Sequence, residues 1–177
     1  MKPVSKLIAI AFAVAALFFT TQTKAQTTAP GQLRFSIGPD AGFPTGNLTI
    51  GSTFVLGGNA RLQYGLSNTF AITLTSGADN FFSKYIPGTN KRYDSFGIIP
   101  IKAGAKKFFT SNLYFGAETG IGIEETDAGA GNTKFILTPA LGFADKHWDI
   151  AARYENFSGQ ADPYGFVVLR VAYGFAL

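Results

Sequence analysis

The sequence contains no cysteine and a single histidine among its 177 residues. Without cysteine the chain has no disulfide scaffold, thiolate metal site, cysteine nucleophile or lipidated N-terminal cysteine. One histidine also excludes a histidine-rich metal centre. No motif for a metal or an organic cofactor is present elsewhere, and we expect the protein to have no cofactor.

Charged residues are scarce and nearly balanced. They make up 15% of the chain, whereas soluble domains carry about 25%. Of the fifteen basic residues, Lys2, Lys6 and Lys24 lie in the first 25 positions, which leaves twelve basic against eleven acidic residues in the rest. No basic stripe of the kind that binds nucleic acid remains, so no nucleic-acid partner is expected.

The N-terminal segment has the pattern of a cleavable signal peptide. The first two lysines form a basic start, and Leu7–Phe19 follows as thirteen uncharged residues. This run is too short for a transmembrane helix, which needs about 20 apolar residues. Small residues at −3 and −1 predict cleavage between Ala25 and Gln26. We expect residues 1–25 to be a signal peptide and 26–177 one exported domain; a buried N-terminal helix is the alternative.

Aromatic residues and glycine are abundant, with 18 Phe, 7 Tyr and 21 Gly. Glycine-rich or polar breaks divide the exported domain into eight segments rich in β-branched and aromatic side chains. Such even spacing is typical of an all-β sandwich or barrel. The seven breaks are 42–53, 65–67, 77–95, 109–111, 125–132, 145–146 and 158–164.

Large apolar residues alternate with small or charged ones inside these segments. A soluble sandwich also alternates, with its apolar face inward. Here the polar face has few long side chains, which suits the inside of a narrow barrel better than a surface in water. In the last segment one face is Val167, Leu169, Val171, Tyr173 and Phe175, and the other is Phe166, Val168, Arg170, Ala172 and Gly174.

Aromatic residues near the segment ends predict the two girdles that flank the outward apolar band of a membrane barrel. The breaks also alternate long and short, as the outer loops and periplasmic turns of such barrels do. Together these features predict an eight-stranded, antiparallel, up-and-down transmembrane β-barrel. One girdle is predicted at Phe35, Tyr64, Phe70, Phe143, Trp148, Tyr173 and Phe175, and the other at Phe43, Phe54 and Tyr154.

The pattern over Gln32–Leu177 resembles the small outer-membrane β-barrel family of Gram-negative bacteria, in particular the Bacteroidota-type outer membrane beta-barrel domain. This resemblance implies an outer-membrane location, contact with outer-membrane lipid and lipopolysaccharide, and handling by the barrel-assembly machinery. The family's last strand often ends in Phe, whereas this chain ends in Leu177. The stretches that carry the resemblance are Phe35–Pro39, Pro44–Gly46, Ile99–Gly104, Leu113–Gly120, Trp148–Tyr154 and Leu169–Phe175.

Charges of both signs fall on the predicted inner face. Opposite charges removed from bulk water normally pair, so we expect a lumen network; a paired acid and base, as in glycosidases, is the alternative. Hairpin symmetry about Thr110 places Lys102 opposite Glu118, and the next turn places Thr138 opposite Arg153. The predicted network is Arg61, Lys102, Lys106, Glu118, Asp149, Arg153, Glu155 and Arg170.

Two proline residues fall inside predicted strands. Proline has no N–H to donate to a ladder and is usually confined to edges or bulges. A closed barrel has no edge, so we expect a bulge or a donor-free position at Pro100 and at Pro139.

The longest break combines aromatic and basic residues and is the candidate surface-binding loop. Such residues suit lipopolysaccharide phosphates, a glycan or another surface ligand; closing the barrel mouth is the alternative. The candidate residues are Phe81, Phe82, Lys84, Tyr85, Lys91, Arg92 and Tyr93.

Catalytic signals are weak. His147 lies beside a short turn, at the predicted periplasmic rim, and no GxSxG element accompanies it. The segment Asp127–Asn132 lacks the pattern of a phosphate or calcium loop and is expected to be an outer loop. We therefore expect a non-enzymatic barrel. The alternatives are a narrow ion or small-solute channel, a lipid-modifying enzyme, and a soluble lipocalin-like barrel.

Overall fold

The computed structural model describes residues 29–126, 129–160 and 162–177. Eight strands form one closed barrel in which each strand pairs antiparallel with its neighbours in sequence and β1 also pairs with β8. The predicted fold class is therefore confirmed. A one-turn helix, α1 (Leu48–Gly51), joins the first two strands. The strands are β1 (Leu33–Thr45), β2 (Ser52–Ser67), β3 (Phe70–Ser83), β4 (Phe96–Phe108), β5 (Leu113–Thr126), β6 (Gly129–Ala144), β7 (Trp148–Gly159) and β8 (Tyr164–Ala176).

Side chains alternate between the lumen and the outer surface along the strands, because successive residues of a strand point to opposite faces; the ladders β2–β3 and β5–β6 contain register shifts near their ends. On β8 the apolar Leu169 is 52% exposed, whereas the neighbouring Arg170 is fully buried. The whole barrel has this arrangement, which is the reverse of that in a soluble protein: arginine, lysine and carboxylate side chains lie inside, and large apolar residues lie outside. The outer surface is therefore one that hydrocarbon, not water, would solvate.

The barrel has two different ends. At the turn end, short connections 68–69, 109–112 and 145–147 join the strands, and Leu33 and Ala176 lie beside them. At the loop end lie α1 and the segment 84–95. The first predicted girdle lies near the turn end and the second near the loop end.

Several strands run further than the sequence pattern predicted. β3 continues to Ser83, and β6 begins at Gly129, although the sequence placed breaks at 77–95 and 125–132. Glycine and small polar residues are frequent in these stretches, so their composition resembles a loop even though their backbone groups pair with the adjacent strand.

The predicted hairpin registers are wrong by two residues. Lys102 pairs with Gly120 and Glu118 with Gly104, while Arg153 pairs with Ala140. The turns extend one residue further than assumed, to Asn112 and His147, which moves each axis of symmetry by one position. A shift of two preserves the face on which each side chain lies, so inside and outside are unaffected.

The prolines lie where one of the two flanking ladders is open. Pro100 pairs with Gly122 of β5, but the β3–β4 ladder is open between the pairs Ser76/Ile101 and Asp79/Ile98. Pro139 pairs with Ala117 of β5, with a matching gap toward β7. Register is the same on both sides of each gap. Each proline thus has the donor-free position that the sequence predicted.

Some sequence predictions concern residues outside the described ranges. The signal peptide 1–25, its cleavage before Gln26, and residues 127–128 of the Asp127–Asn132 segment lie there. Gly129–Asn132 belongs to β6 rather than to a loop. Within the described ranges, no helix has the length and apolar character needed to cross a membrane.

Candidate functional site

Asp149 of β7 is the centre of the charge network in the lumen. Its carboxylate accepts a hydrogen bond from Lys106 and one of 2.6 Å from the Tyr114 hydroxyl. Guanidinium nitrogens of Arg170 and Arg61 lie 3.3 and 3.6 Å away. One carboxylate therefore connects four side chains from four other strands.

Glu118 of β5 forms a second contact across the lumen. One of its oxygens accepts a hydrogen bond of 3.0 Å from Arg61. The other accepts hydrogen bonds of 2.7 and 2.8 Å from the hydroxyls of Thr73 and Thr75 on β3. A buried carboxylate is stable in an apolar setting only when it is paired and hydrogen-bonded, and Glu118 satisfies both conditions.

A third group of charges lies closer to the loop end. Lys102 donates to Glu155 at 2.6 Å, and Arg153 lies 3.2 Å from the same carboxylate and 2.8 Å from Asp40. Asn59 bridges this group to Arg170, because it donates to Asp40 and accepts from Arg170. The groups therefore form one connected network through the middle of the barrel.

The structure places all eight predicted lumen charges inside the barrel and in ion pairs. The pairing of Lys102 with Glu118 was wrong, because the register shift moves Glu118 toward Arg61 and Lys102 toward Glu155. Sequence reasoning missed Asp40 and Asp79, although their alternation with outward residues could have indicated them. Asp79 is buried near Glu155, Asp40, Lys102 and Arg153.

An apolar plug closes the lumen between the charge network and the loop end. Phe81 stacks on Phe96 with ring centroids 4.4 Å apart, and Phe166 stacks on Phe157 at 5.4 Å. The sequence placed Phe166 and Val168 on the inner face and Phe81 in a loop, but it did not predict that these side chains pack together as a plug. The buried members are Val55, Phe81, Ile98, Ile136, Phe157, Phe166 and Val168, with Leu48, Phe96 and Tyr164 packed against them.

Side chains of neighbouring strands hold the last connection, between β7 and β8, beside the plug. Lys134 donates to the backbone carbonyls of Gln160 and Asp162. Tyr164 donates to Glu124 at 2.7 Å and packs against Phe157. The connection between β7 and β8 is thereby fixed to β5 and β6 at the mouth of the barrel.

Tyr114 fills the lumen near the turn end. Its ring lies over Gly142 on the neighbouring strand, where an added Cβ would meet the ring at 2.3 Å. The Lys106 ammonium lies 4.2 Å from the same ring. A cavity beside Arg61 and Glu118 has a volume of about 10 Å³, about the space of one water molecule.

The segment 84–93 at the loop end is a β-hairpin that extends β3 and β4. Tyr85 pairs with Arg92, Ile86 N–H donates to the Lys91 carbonyl at 2.8 Å, and Tyr93 N–H donates to that of Lys84 at 3.0 Å. These pairs continue the register in which Phe81 pairs with Phe96 in the β3–β4 ladder.

The predicted surface-binding residues do not form one surface. Phe81 is fully buried in the plug and is unavailable to an external ligand, which corrects its assignment to a loop. Arg92 covers the Tyr85 ring at 4.4 Å. Phe82 instead stacks on Phe54 of β2, with ring centroids 4.3 Å apart. The strand alternation thus divides the residues between the lumen side and the outer side.

His147 lies within the turn 145–147 at the turn end, whereas the sequence placed it beside a shorter turn. Its backbone N–H donates to Asp145 at 2.7 Å, and its ring stacks on Tyr173 with centroids 5.6 Å apart. These contacts are those of a turn residue at the aromatic girdle. Among the described residues, no cluster of three or more His, Cys, Asp or Glu could hold a metal ion.

Comparison with known proteins finds similarity in structure alone. No protein-family model and no curated protein matches the sequence. The crystal structure of Ail, the attachment invasion locus protein of Yersinia pestis, matches with a TM-score of 0.58 and 16% identity, covering 82% of this chain and 99% of that one. OprG from Pseudomonas aeruginosa matches with a TM-score of 0.54 and 10% identity over 85% and 99% of the two chains.

A third similar structure is the N-terminal β-barrel domain of Pseudomonas aeruginosa OprF, with a TM-score of 0.51 and 11% identity over 84% of this chain and 100% of that one. OprG is described as an outer membrane protein. At these identities the likeness establishes the fold. The chain therefore shares the closed β-barrel fold of these proteins.

Proposed function

We propose that this protein is a non-enzymatic integral outer-membrane barrel with a closed lumen, which acts as a structural or surface-binding protein through its loop end. The observation that carries this proposal is the filled lumen, in which an ion-pair network and an apolar plug lie in series. An eight-stranded barrel is just wide enough for side chains to fill it. The chain uses that space for packing rather than for a pore.

Membrane insertion is supported by the outer surface. Large apolar residues are exposed around the barrel, and the sheet is closed on itself without a free edge, as hydrocarbon requires of a spanning β structure. The longer connections at one end match outer loops and the short turns match periplasmic ones. We therefore orient the hairpin 84–93 outward and the turn 145–147 toward the periplasm.

A conducting channel is disfavoured by the energetics of the lumen. A permeating ion would have to separate buried ion pairs such as Lys102–Glu155, whose charged atoms lie 2.6 Å apart. Leaving one member of such a pair without its partner costs about 3–5 kcal/mol of stability. The ion would then meet the stacked rings of Phe81 and Phe96, whose carbon atoms do not replace its hydration shell.

Planar-bilayer recording tests the closed lumen. The protein is refolded, and a gel band whose mobility shifts when the sample is heated identifies the closed barrel. This folded protein is added to a planar bilayer. We expect no stepwise conductance from the wild type. The matched variants are Phe81→Ala with Phe166→Ala, which thins the plug, and Phe54→Ala, which removes an outward ring of the same size. Stepwise conductance from the folded wild type would support the narrow channel instead.

A further inference from the structure

The outer face of β1, β2 and β3 ends in a row of phenylalanines at the loop end. Gly42 pairs with Val55, which places Phe43 beside Phe54, and Phe54 pairs with Phe82. Phe54 and Phe82 stack with centroids 4.3 Å apart, and Phe43 is 71% exposed. These three residues, which we call the phenylalanine row, face the hydrocarbon of the proposed membrane.

The hairpin adds two lysines above that row on the same face. The hairpin keeps the register of the β3–β4 ladder, so the alternation of side chains continues from Phe82 to Lys84. Ile86 lies on the same side as Lys84, and its pairing with Lys91 places Lys91 on that side too. Both lysine side chains are exposed. Arg92 alternates to the other side, where it covers Tyr85.

Contacts at the base of the hairpin fix this face. Lys84 N–H donates to the Gly51 carbonyl at 2.7 Å, which ties the hairpin to β2 through the end of α1. The ring of Tyr93 lies against Gly51, where an added Cβ would meet its Cγ at 3.7 Å. The Lys84 ammonium donates to the Thr49 carbonyl at 2.7 Å, and an ammonium has two further donors.

We propose that the phenylalanine row with Lys84 and Lys91 is a binding site for a phosphorylated glycolipid of the outer leaflet. An acyl chain lies against the row, and the phosphate accepts hydrogen bonds from the two ammonium groups. This arrangement has the order of a lipid molecule, apolar toward the membrane centre and anionic at its surface, and lysines near an anionic lipid surface attract it. The site rests on the proposed orientation of the barrel.

Lipid binding to the purified barrel tests this site. Folded protein in neutral detergent is titrated with diphosphoryl lipid A, and bound lipid is counted by native mass spectrometry. The test variant is Lys84→Gln with Lys91→Gln. The control is Lys107→Gln with Lys146→Gln, which removes the same charge from exposed lysines at the turn end. Chemically dephosphorylated lipid A and inorganic phosphate form two further arms.

We expect the hairpin variant to bind lipid A about 25-fold more weakly than the wild type, on the basis of about 1 kcal/mol per lysine. The control variant should bind as the wild type does. Phe82→Ala should weaken binding of both lipid forms. Equal affinity of the two lysine variants, or equal affinity for dephosphorylated lipid A, would overturn the proposal. Inorganic phosphate competing as well as the lipid would indicate a free-phosphate site and also overturn it.

The outcome is separable from that of the proposed function. A heat-modifiable, non-conducting barrel that shows no lysine-dependent lipid binding would refute the lipid site and leave the closed barrel standing. A conducting barrel with lysine-dependent lipid binding would refute the closed lumen and support the lipid site.

Discussion

The carboxylate of Glu118 on β5 lies 3.0 Å from the guanidinium of Arg61 on β2, and these strands share no ladder. β5 pairs with β4 and β6 alone, so the contact crosses the lumen. Ladder hydrogen bonds hold each strand to its neighbours, whereas this ion pair connects strands on different parts of the wall. The lumen charges therefore brace the barrel across its width.

Replacing Glu118 with Gln should lower the free energy of unfolding by about 3 kcal/mol, near the lower end of the cost of breaking a buried pair, because Arg61 retains a contact with Asp149 at 3.6 Å. Urea titration of the protein refolded into lipid vesicles measures the change. Glu125→Gln is the matched control, since Glu125 is exposed on the same strand, and it should change stability by about 0.5 kcal/mol or less. Equal effects of the two variants would contradict a bracing role.

Alternation made the barrel and its inner charges predictable from sequence. Arg170 lies between Leu169 and Val171, and a period of two places it on the face opposite to both. The partner of each charge was not predictable in the same way. Pairing depends on the turn, and including Asn112 in the turn moved Glu118 from Lys102 to Gly104.

The plug was not predictable because residue type alone does not identify its members. Phe81 and Phe82 are adjacent and chemically identical, yet Phe81 is buried in the lumen and Phe82 lies on the outer face. Only the strand register decides which of the two faces inward. The charge network had a signal of its own, since charges are excluded from a lipid-facing surface.

The lipid-facing surface predicts a strong dependence on charge. Leu169 is exposed on the outer face of β8, and we expect Leu169→Arg to cost about 2–4 kcal/mol. Leu169→Phe should be nearly neutral at the same position, because a ring is as well solvated by hydrocarbon as leucine is. Both are measured by urea titration in vesicles. A neutral Leu169→Arg would show that this face contacts water, as in a soluble barrel.

Two lumen glycines should respond differently to the same substitution. A Cβ at Gly142 would meet the Tyr114 ring at 2.3 Å, whereas one at Gly116 finds its nearest atom at 3.5 Å. The Tyr114 hydroxyl is held by Asp149 at 2.6 Å, so the ring is not free to move. Gly142→Ala should therefore cost about 1–3 kcal/mol through overpacking, and Gly116→Ala should be neutral or slightly stabilising. Tyr114→Leu should relieve the penalty at Gly142; a penalty unchanged by it would place the strain elsewhere.

The orientation of the barrel can be tested with single cysteines, because the native sequence has none. Asn90 lies near the tip of the hairpin and Lys146 in the turn 145–147, and both are exposed. Longer connections of outer-membrane barrels lie outside and short turns in the periplasm, so a membrane-impermeant maleimide should label Asn90→Cys on intact cells. Lys146→Cys should be labelled only after the outer membrane is permeabilised. The opposite pattern would invert the barrel and remove the lysines 84 and 91 from the outer leaflet, while protection of both sites on intact cells would contradict exposure of either end at the cell surface.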